Sequence, residues 1–120
     1  MRMHHWALRT SNLERLETFY ISVFGLRVLR RGPGPGGSVW LDAEGLVVML
    51  ERSSEGEPAV PTGTMELMAF AADPNEPGWK DHWRARIELA GARIEAETPQ
   101  TLYFRDPDGR RLACSVYPLR

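Results

Sequence analysis

The chain has 120 residues, 42% hydrophobic and 26% charged, enough for one soluble globular domain and too few for a cofactor domain joined to a separate substrate domain. Fifteen basic residues against 16 acidic leave a net charge of −1, so no polyanion is implied as a partner and no nucleic acid is expected. A single cysteine, Cys114, excludes an internal disulfide and a CxxC zinc site, and three histidines (His4, His5 and His82) leave few nitrogen ligands for a metal.

Fourteen of the 15 basic residues are Arg, with Lys80 the exception, a bias that reads as genomic codon usage and needs no function. The opening Met1-Arg-Met-His-His-Trp6 has no apolar core and no cleavage pattern of an export signal. No apolar run approaches the length of a spanning helix. The expectation is a cytoplasmic protein with a reduced thiol and no membrane partner.

In chain order, residues 3–10 read as a short strand, ending where Ser11 and Glu14 stand at capping-box spacing. Leu13, Leu16, Tyr20, Val23 and Phe24 then recur at three- and four-residue intervals, predicting an amphipathic helix that stops at Gly25. Residues 26–31 read as a strand and Gly32 to Gly37 as a Pro/Gly loop, placed at a rim; its two prolines remove amide donors, so it is no phosphate cradle. Residues 39–41 and 46–51 are strands joined by the turn Asp42-Ala-Glu-Gly45. A polar connector covers 53–63. Residues 65–72 predict a strand, and 75–90 a helix with Asn75 as cap and Trp79, Trp83, Ile87 and Ala90 on one face. Strands follow at 93–96, 102–105 and 111–117, the last two joined by Asp106-Pro-Asp-Gly109.

The order of elements occurs twice, and so do short sequence matches. Ala7-Leu8 precedes Ala69-Phe70 by 62 residues, Gly25-Leu-Arg27 precedes Gly91-Ala-Arg93 by 66, and Asp42-Ala-Glu-Gly45 precedes Asp106-Pro-Asp-Gly109 by 64. Three matches in order at nearly constant offset point to a duplicated βαβββ unit: a first module over about 1–52, a linker over 53–63 and a second module over about 64–120. Two copies of this length are not a solenoid.

With His4-His-Trp-Ala-Leu-Arg-Thr-Ser-Asn-Leu-Glu14, Phe19-Tyr20, Val23-Phe-Gly-Leu26 and Tyr103-Phe-Arg-Asp-Pro-Asp-Gly109 in these places, the chain resembles the vicinal oxygen chelate superfamily. That superfamily includes glyoxalase I, extradiol dioxygenases, and fosfomycin and bleomycin resistance proteins. The resemblance covers nearly the whole chain. It implies an α+β fold in which two βαβββ modules form a curved eight-stranded cup with two helices packed behind. It also implies a small-molecule site, and members that often dimerise through this sheet, so a homodimer is one expected assembly. It does not choose among the superfamily's chemistries.

In metal-dependent members, the resemblance implies a divalent ion held by one His or carboxylate from the first and one from the fourth strand of each module, acting as a Lewis acid on two adjacent substrate oxygens. Carried onto this chain, the four positions are His5, Met49, Leu67 and Ala113: one imidazole, one thioether and two hydrocarbons. That set is not expected to hold a hard divalent ion. A rebuilt site would rest on His5 with Glu51, which shares the face of Met49 and would complete only two ligands.

The expected pocket therefore consists of His5, Met49, Glu51, Leu67, Ala113 and Ser115, with Trp40 and one of the two neighbours Tyr103 and Phe104, of which Phe104 is taken as a candidate. An apolar floor favours flat or greasy ligands. His5 is the one candidate for a catalytic role, and no oriented carboxylate partner is identifiable for it. His82 is expected at the surface, Trp79 and Trp83 against the sheet, and Cys114 buried and inert on the face opposite Ala113. Arg9, Arg105 and Arg111 are weak candidates for an anionic ligand. The leading reading is a small-molecule-binding protein without a cofactor. The alternatives are a lyase or dioxygenase dependent on Zn, Ni, Fe or Mn, and a structural or interaction module with a filled cup.

Overall fold

The computed structural model describes residues 1–32 and 36–120, so the centre of the Gly32–Gly37 loop lies outside the described residues. The chain divides into two compact units, Met1–Val60 and Pro61–Arg120, here modules 1 and 2. Residues 53–60 of the expected connector are tied to module 1, where the Ser53 amide donates to the Thr10 carbonyl. Thr62 belongs to module 2, its carbonyl accepting from Arg105.

Module 1 comprises β1 (His5–Thr10), α1 (Leu13–Phe24), β2 (Arg27–Gly32), β3 (Ser38–Asp42) and β4 (Val47–Arg52). Module 2 repeats the order with β5 (Met68–Ala71), α2 (Trp79–Leu89), β6 (Ala96–Thr98), β7 (Thr101–Arg105) and β8 (Arg111–Ser115). Each forms a four-stranded sheet, β1-β4-β3-β2 and β5-β8-β7-β6. In each the first strand pairs parallel with the fourth and the remaining pairs are antiparallel. This is the α+β duplication expected from the sequence.

Register confirms the equivalence residue by residue. Ala7 faces Met49 across β1 and β4, and Ala69 faces Ala113 across β5 and β8. Trp40 faces Met49 from β3, as Tyr103 faces Ala113 from β7. The two turns match as well: Asp42 Oδ1 accepts from the Glu44 amide and Asp106 Oδ1 from the Asp108 amide, the side chain closing the turn in both.

α1 buries Leu13, Leu16, Phe19, Tyr20 and Val23; four of these follow from the spacing, whereas Phe19 joins the buried face and Phe24 is only half-buried. Leu8, Val39, Leu41, Val48 and Leu50, alternate residues of the sheet, are buried as well. The helix starts one residue later than predicted. Asn12 is the cap, its side chain accepting from the Arg15 amide, while Thr10 Oγ1 accepts from the Asn12 amide. Glu14 pairs with Arg52 on β4, which draws it away from the capping box. Gly25 closes the helix at φ 65°, a left-handed conformation that disfavours other residues.

α2 is shorter than its sequence pattern. The Asp73 side chain accepts from the Asn75 amide in a turn, so Asn75 does not cap the helix, and the chain enters α2 through Gly78 at φ 71°. Ile87 is its one buried residue; Trp79 and Trp83 are half-buried rather than enclosed, and His82 is exposed and paired with Glu76. Leu102, Phe104, Leu112 and Cys114 fill the sheet side of this core. β6 begins three residues later than expected, and β8 ends at Ser115 instead of 117.

Candidate functional site

Strand alternation gives each sheet a second face, opposite the buried one. In module 1 that face carries His5, Ala7 and Arg9 of β1, Val47, Met49 and Glu51 of β4, and Trp40 of β3. Met49 lies between Ala7 and Trp40. The Trp40 indole donates to Ser38 Oγ at 3.3 Å, and the Arg30 guanidinium stands 5.0 Å from its ring centre. His5 pairs with Val47, one row from Met49, and is exposed. Its Nδ1 is 2.9 Å from Nδ1 of His4, so one ring donates to the other, and among the described residues no carboxylate orients either.

The structure does not bring His5 and Glu51 together. Glu51 pairs with Arg9, four residues beyond the His5 row, or about 13 Å along the strand at the usual rise. Ligand bonds of about 2 Å cannot close that gap. The Glu51 carboxylate is instead 3.7 Å from Arg9, which also makes a two-pronged contact with Glu57 at 2.7 and 3.1 Å. Arg9 and the Ser54 amide hold the Glu57 carboxyl down at about 2. The expected fallback metal pair, His5 with Glu51, is thereby corrected, and Arg9 is already neutralised.

In module 2 the same face holds a cavity of about 390 Å³. Its walls include Leu67 and Ala69 at β5, Tyr103 and Thr101 of β7, Ala113 and Ser115 of β8, and the turn Thr98-Pro-Gln100. Ala113 forms the floor and has no surface left to solvent. Leu67, just before β5, is 43% exposed at the mouth. The Thr101 and Ser115 hydroxyls lie 2.8 Å apart, and Ser115 also donates to the Gln100 carbonyl.

Leu67, Ala113 and Ser115 therefore line one cavity, while His5, Met49, Glu51 and Trp40 occupy the corresponding face of module 1. Phe104 does not line the cavity. It is fully buried on the other face of β7, and Tyr103 takes the expected place. Alternation allowed only one of the two to point there, and the pairing of Tyr103 with Ala113 decides which. Cys114 points away from Ala113, and burial pushes its thiol up to about 12, so the thiolate is suppressed. Sequence reasoning missed Ala69, Tyr117 and the Thr98–Thr101 turn. Ala69 was legible from its match to Ala7, but no local motif marks the turn.

At the four inherited ligand positions, module 1 offers an imidazole and a thioether, and module 2 offers no donor atom. Among the described residues no group of three or more His, Cys, Asp or Glu is placed to hold an ion. The residues present do not fit the divalent ion that the resemblance implies.

The sequence profile of the Glyoxalase/Bleomycin resistance protein/Dioxygenase superfamily matches residues 2–113, and the chain belongs to that superfamily. Among solved structures it resembles the fosfomycin resistance protein FosX from Mesorhizobium loti, with 16% identity, a TM-score of 0.78, and 98% of this chain and 92% of that chain covered. A mutant FosX from Listeria monocytogenes, complexed with Mn(II) and 1S,2S-dihydroxypropylphosphonic acid, gives 18% identity, a TM-score of 0.76, and coverage of 99% and 91%. A mutant glyoxalase I from Zea mays gives 22% identity and a TM-score of 0.76, with 96% of this chain on 45% of that one. At these identities the likeness concerns the fold. No curated protein matches by sequence.

Proposed function

We propose that this chain is a small-molecule-binding member of its superfamily that works without a chelated metal and takes its ligand in the apolar cavity of module 2. The observation that carries the reading is chemical: hydrocarbon side chains, Leu67 and Ala113, stand at the inherited ligand positions and line a cavity of about 390 Å³. That volume lies in the range of small-molecule sites, and an aromatic wall with a few polar atoms at one end is their usual lining. Binding would draw on apolar area removed from water, at about 25 cal/mol per Å² before the costs of association.

The enzyme alternatives gain no support from His5, whose ring partner is His4 and which has no carboxylate partner among the described residues. The reading includes a cytoplasmic setting, consistent with one buried, unpaired cysteine. No helix among the described residues is long and apolar enough to cross a membrane. A homodimer is compatible with the same site.

A thermal-shift screen of apolar aromatic compounds tests the proposal. Hits should raise the melting temperature of the native chain and lose that effect in Leu67→Trp, which fills the mouth of the cavity. Hits that stabilise Leu67→Trp as well as the native chain would show that ligands bind elsewhere.

A further inference from the structure

The cavity of module 2 is bordered by a cation, Arg111, that has no acidic partner among the described residues. Arg111 has the same parity on β8 as the cavity residues Ala113 and Ser115. It is half-buried, donates one hydrogen bond to the Met65 carbonyl, and lays its guanidinium 4.5 Å from the ring centre of Tyr103, a cavity wall. Among the described residues it forms no ion pair. Its cross-strand neighbour on β7 is Arg105, a like charge directly opposite, which is unfavourable for the pair. Arg105 is paired with Glu95, at 3.1 Å to both carboxylate oxygens, whereas no carboxylate among the described residues pairs with Arg111.

Three rows of side chains thus run along the cavity face, about 7 Å apart at the usual strand rise. Arg111 supplies a cationic row. Ala69, Ala113 and Tyr103 supply an apolar row. Ser115 and Thr101 supply a row of hydroxyls already bonded to each other. Module 1 shows what neutralisation looks like on the matching face, where Arg9 is held by Glu57 and Glu51. An uncompensated guanidinium beside an apolar cavity is an anion receptor, since its fork of donors bonds carboxylates and sulfonates more strongly than neutral groups.

We infer that the ligand of this cavity is an amphipathic organic anion, an apolar or aromatic body seated on Ala69, Ala113 and Tyr103 with its acid group at Arg111. The inference rests on the pocket proposed above and adds the sign of the ligand's charge and the residue that reads it. Arg111 is a binding and specificity residue in this account. No chemical step is assigned to it.

Two fluorescent probes of nearly the same apolar shape separate the claims: 8-anilinonaphthalene-1-sulfonate, an anion, and N-phenyl-1-naphthylamine, its neutral counterpart. The native chain should prefer the sulfonate by about tenfold, the usual scale of a hydrogen-bonded charge. Arg111→Gln should remove that preference while leaving the neutral probe's affinity unchanged, and Arg111→Lys, which keeps the charge, should retain most of it. Circular dichroism of each variant confirms that it is folded. An unchanged preference in Arg111→Gln, or an equal loss of both probes, overturns the anion inference and leaves the pocket standing. Failure of both probes to bind the native chain, or binding of both undiminished in Leu67→Trp, overturns the pocket itself.

Discussion

Module 1 seats α1 through five buried residues under a side-chain cap from Asn12, whereas module 2 seats α2 through Ile87 alone and starts it at an uncapped Gly78. On the opposite face the contrast continues. Module 1 crosses its sheet with Arg9, Glu51 and Glu57 in contact and Met49 beside Trp40, while module 2 leaves a cavity over Ala113. The backbone register is the same in both, with Ala7 against Met49 matching Ala69 against Ala113. Side-chain volume and charge pairing, applied to one duplicated frame, therefore give the two modules different faces: a network of paired charges on module 1 and a cavity over Ala113 on module 2.

The largest effect that would break this comparison is a loss of core volume. Tyr20 of α1 has no exposed surface, so Tyr20→Ala should lower the stability of the folded chain by about 3–5 kcal/mol. Trp83 of α2 is half-buried and lies beside Arg86 and His82, so Trp83→Ala should cost about 1–2 kcal/mol despite the larger ring. Urea denaturation of both variants measures the difference, and equal losses would mean that α2 is anchored as firmly as α1.

A smaller effect concerns the charges of module 1. The Glu57 carboxyl is held at about 2 by Arg9 and the Ser54 amide, below its ordinary value of 4.5. A depressed carboxyl contributes stability that is present above the ordinary value and is lost as pH falls towards the depressed one. Glu57→Gln should thus be less stable than the native chain at pH 6, with the gap closing between about pH 4.5 and 2 in acid titrations followed by circular dichroism. Both groups are partly exposed, so the gap should be modest. A gap that is constant over this range would mean that the ion pair does not tie the 53–57 segment to β1.

Much of this frame is legible in the sequence because it depends on periodicity and repetition. The spacing of Leu13, Leu16, Tyr20 and Val23 marks α1, and the paired turns at Asp42 and Asp106 set the repeat that places Met49 and Ala113. What the sequence misleads on is local competition among polar groups. Ser11 and Glu14 have capping-box spacing, yet the cap falls on Asn12, which accepts from the Arg15 amide, while the Glu14 carboxylate pairs with Arg52. Asn75 looks like a cap and is captured by Asp73. The pairing of His5 with Glu51 on one face is correct in parity and wrong in distance, because parity carries no information about rows. Tyr103 and Phe104 show the reverse case: alternation says that they differ, and only register says which one meets Ala113.

The chemistry of His5, Met49, Leu67 and Ala113 decides whether this protein works without a metal. Its most direct test is calorimetric titration of chelator-treated native protein with Mn(II), Fe(II), Ni(II) and Zn(II), with His5→Ala as the control. No stoichiometric tight site is expected for any of the four ions. A one-to-one tight site that disappears in His5→Ala would contradict that expectation and restore a metal to this fold.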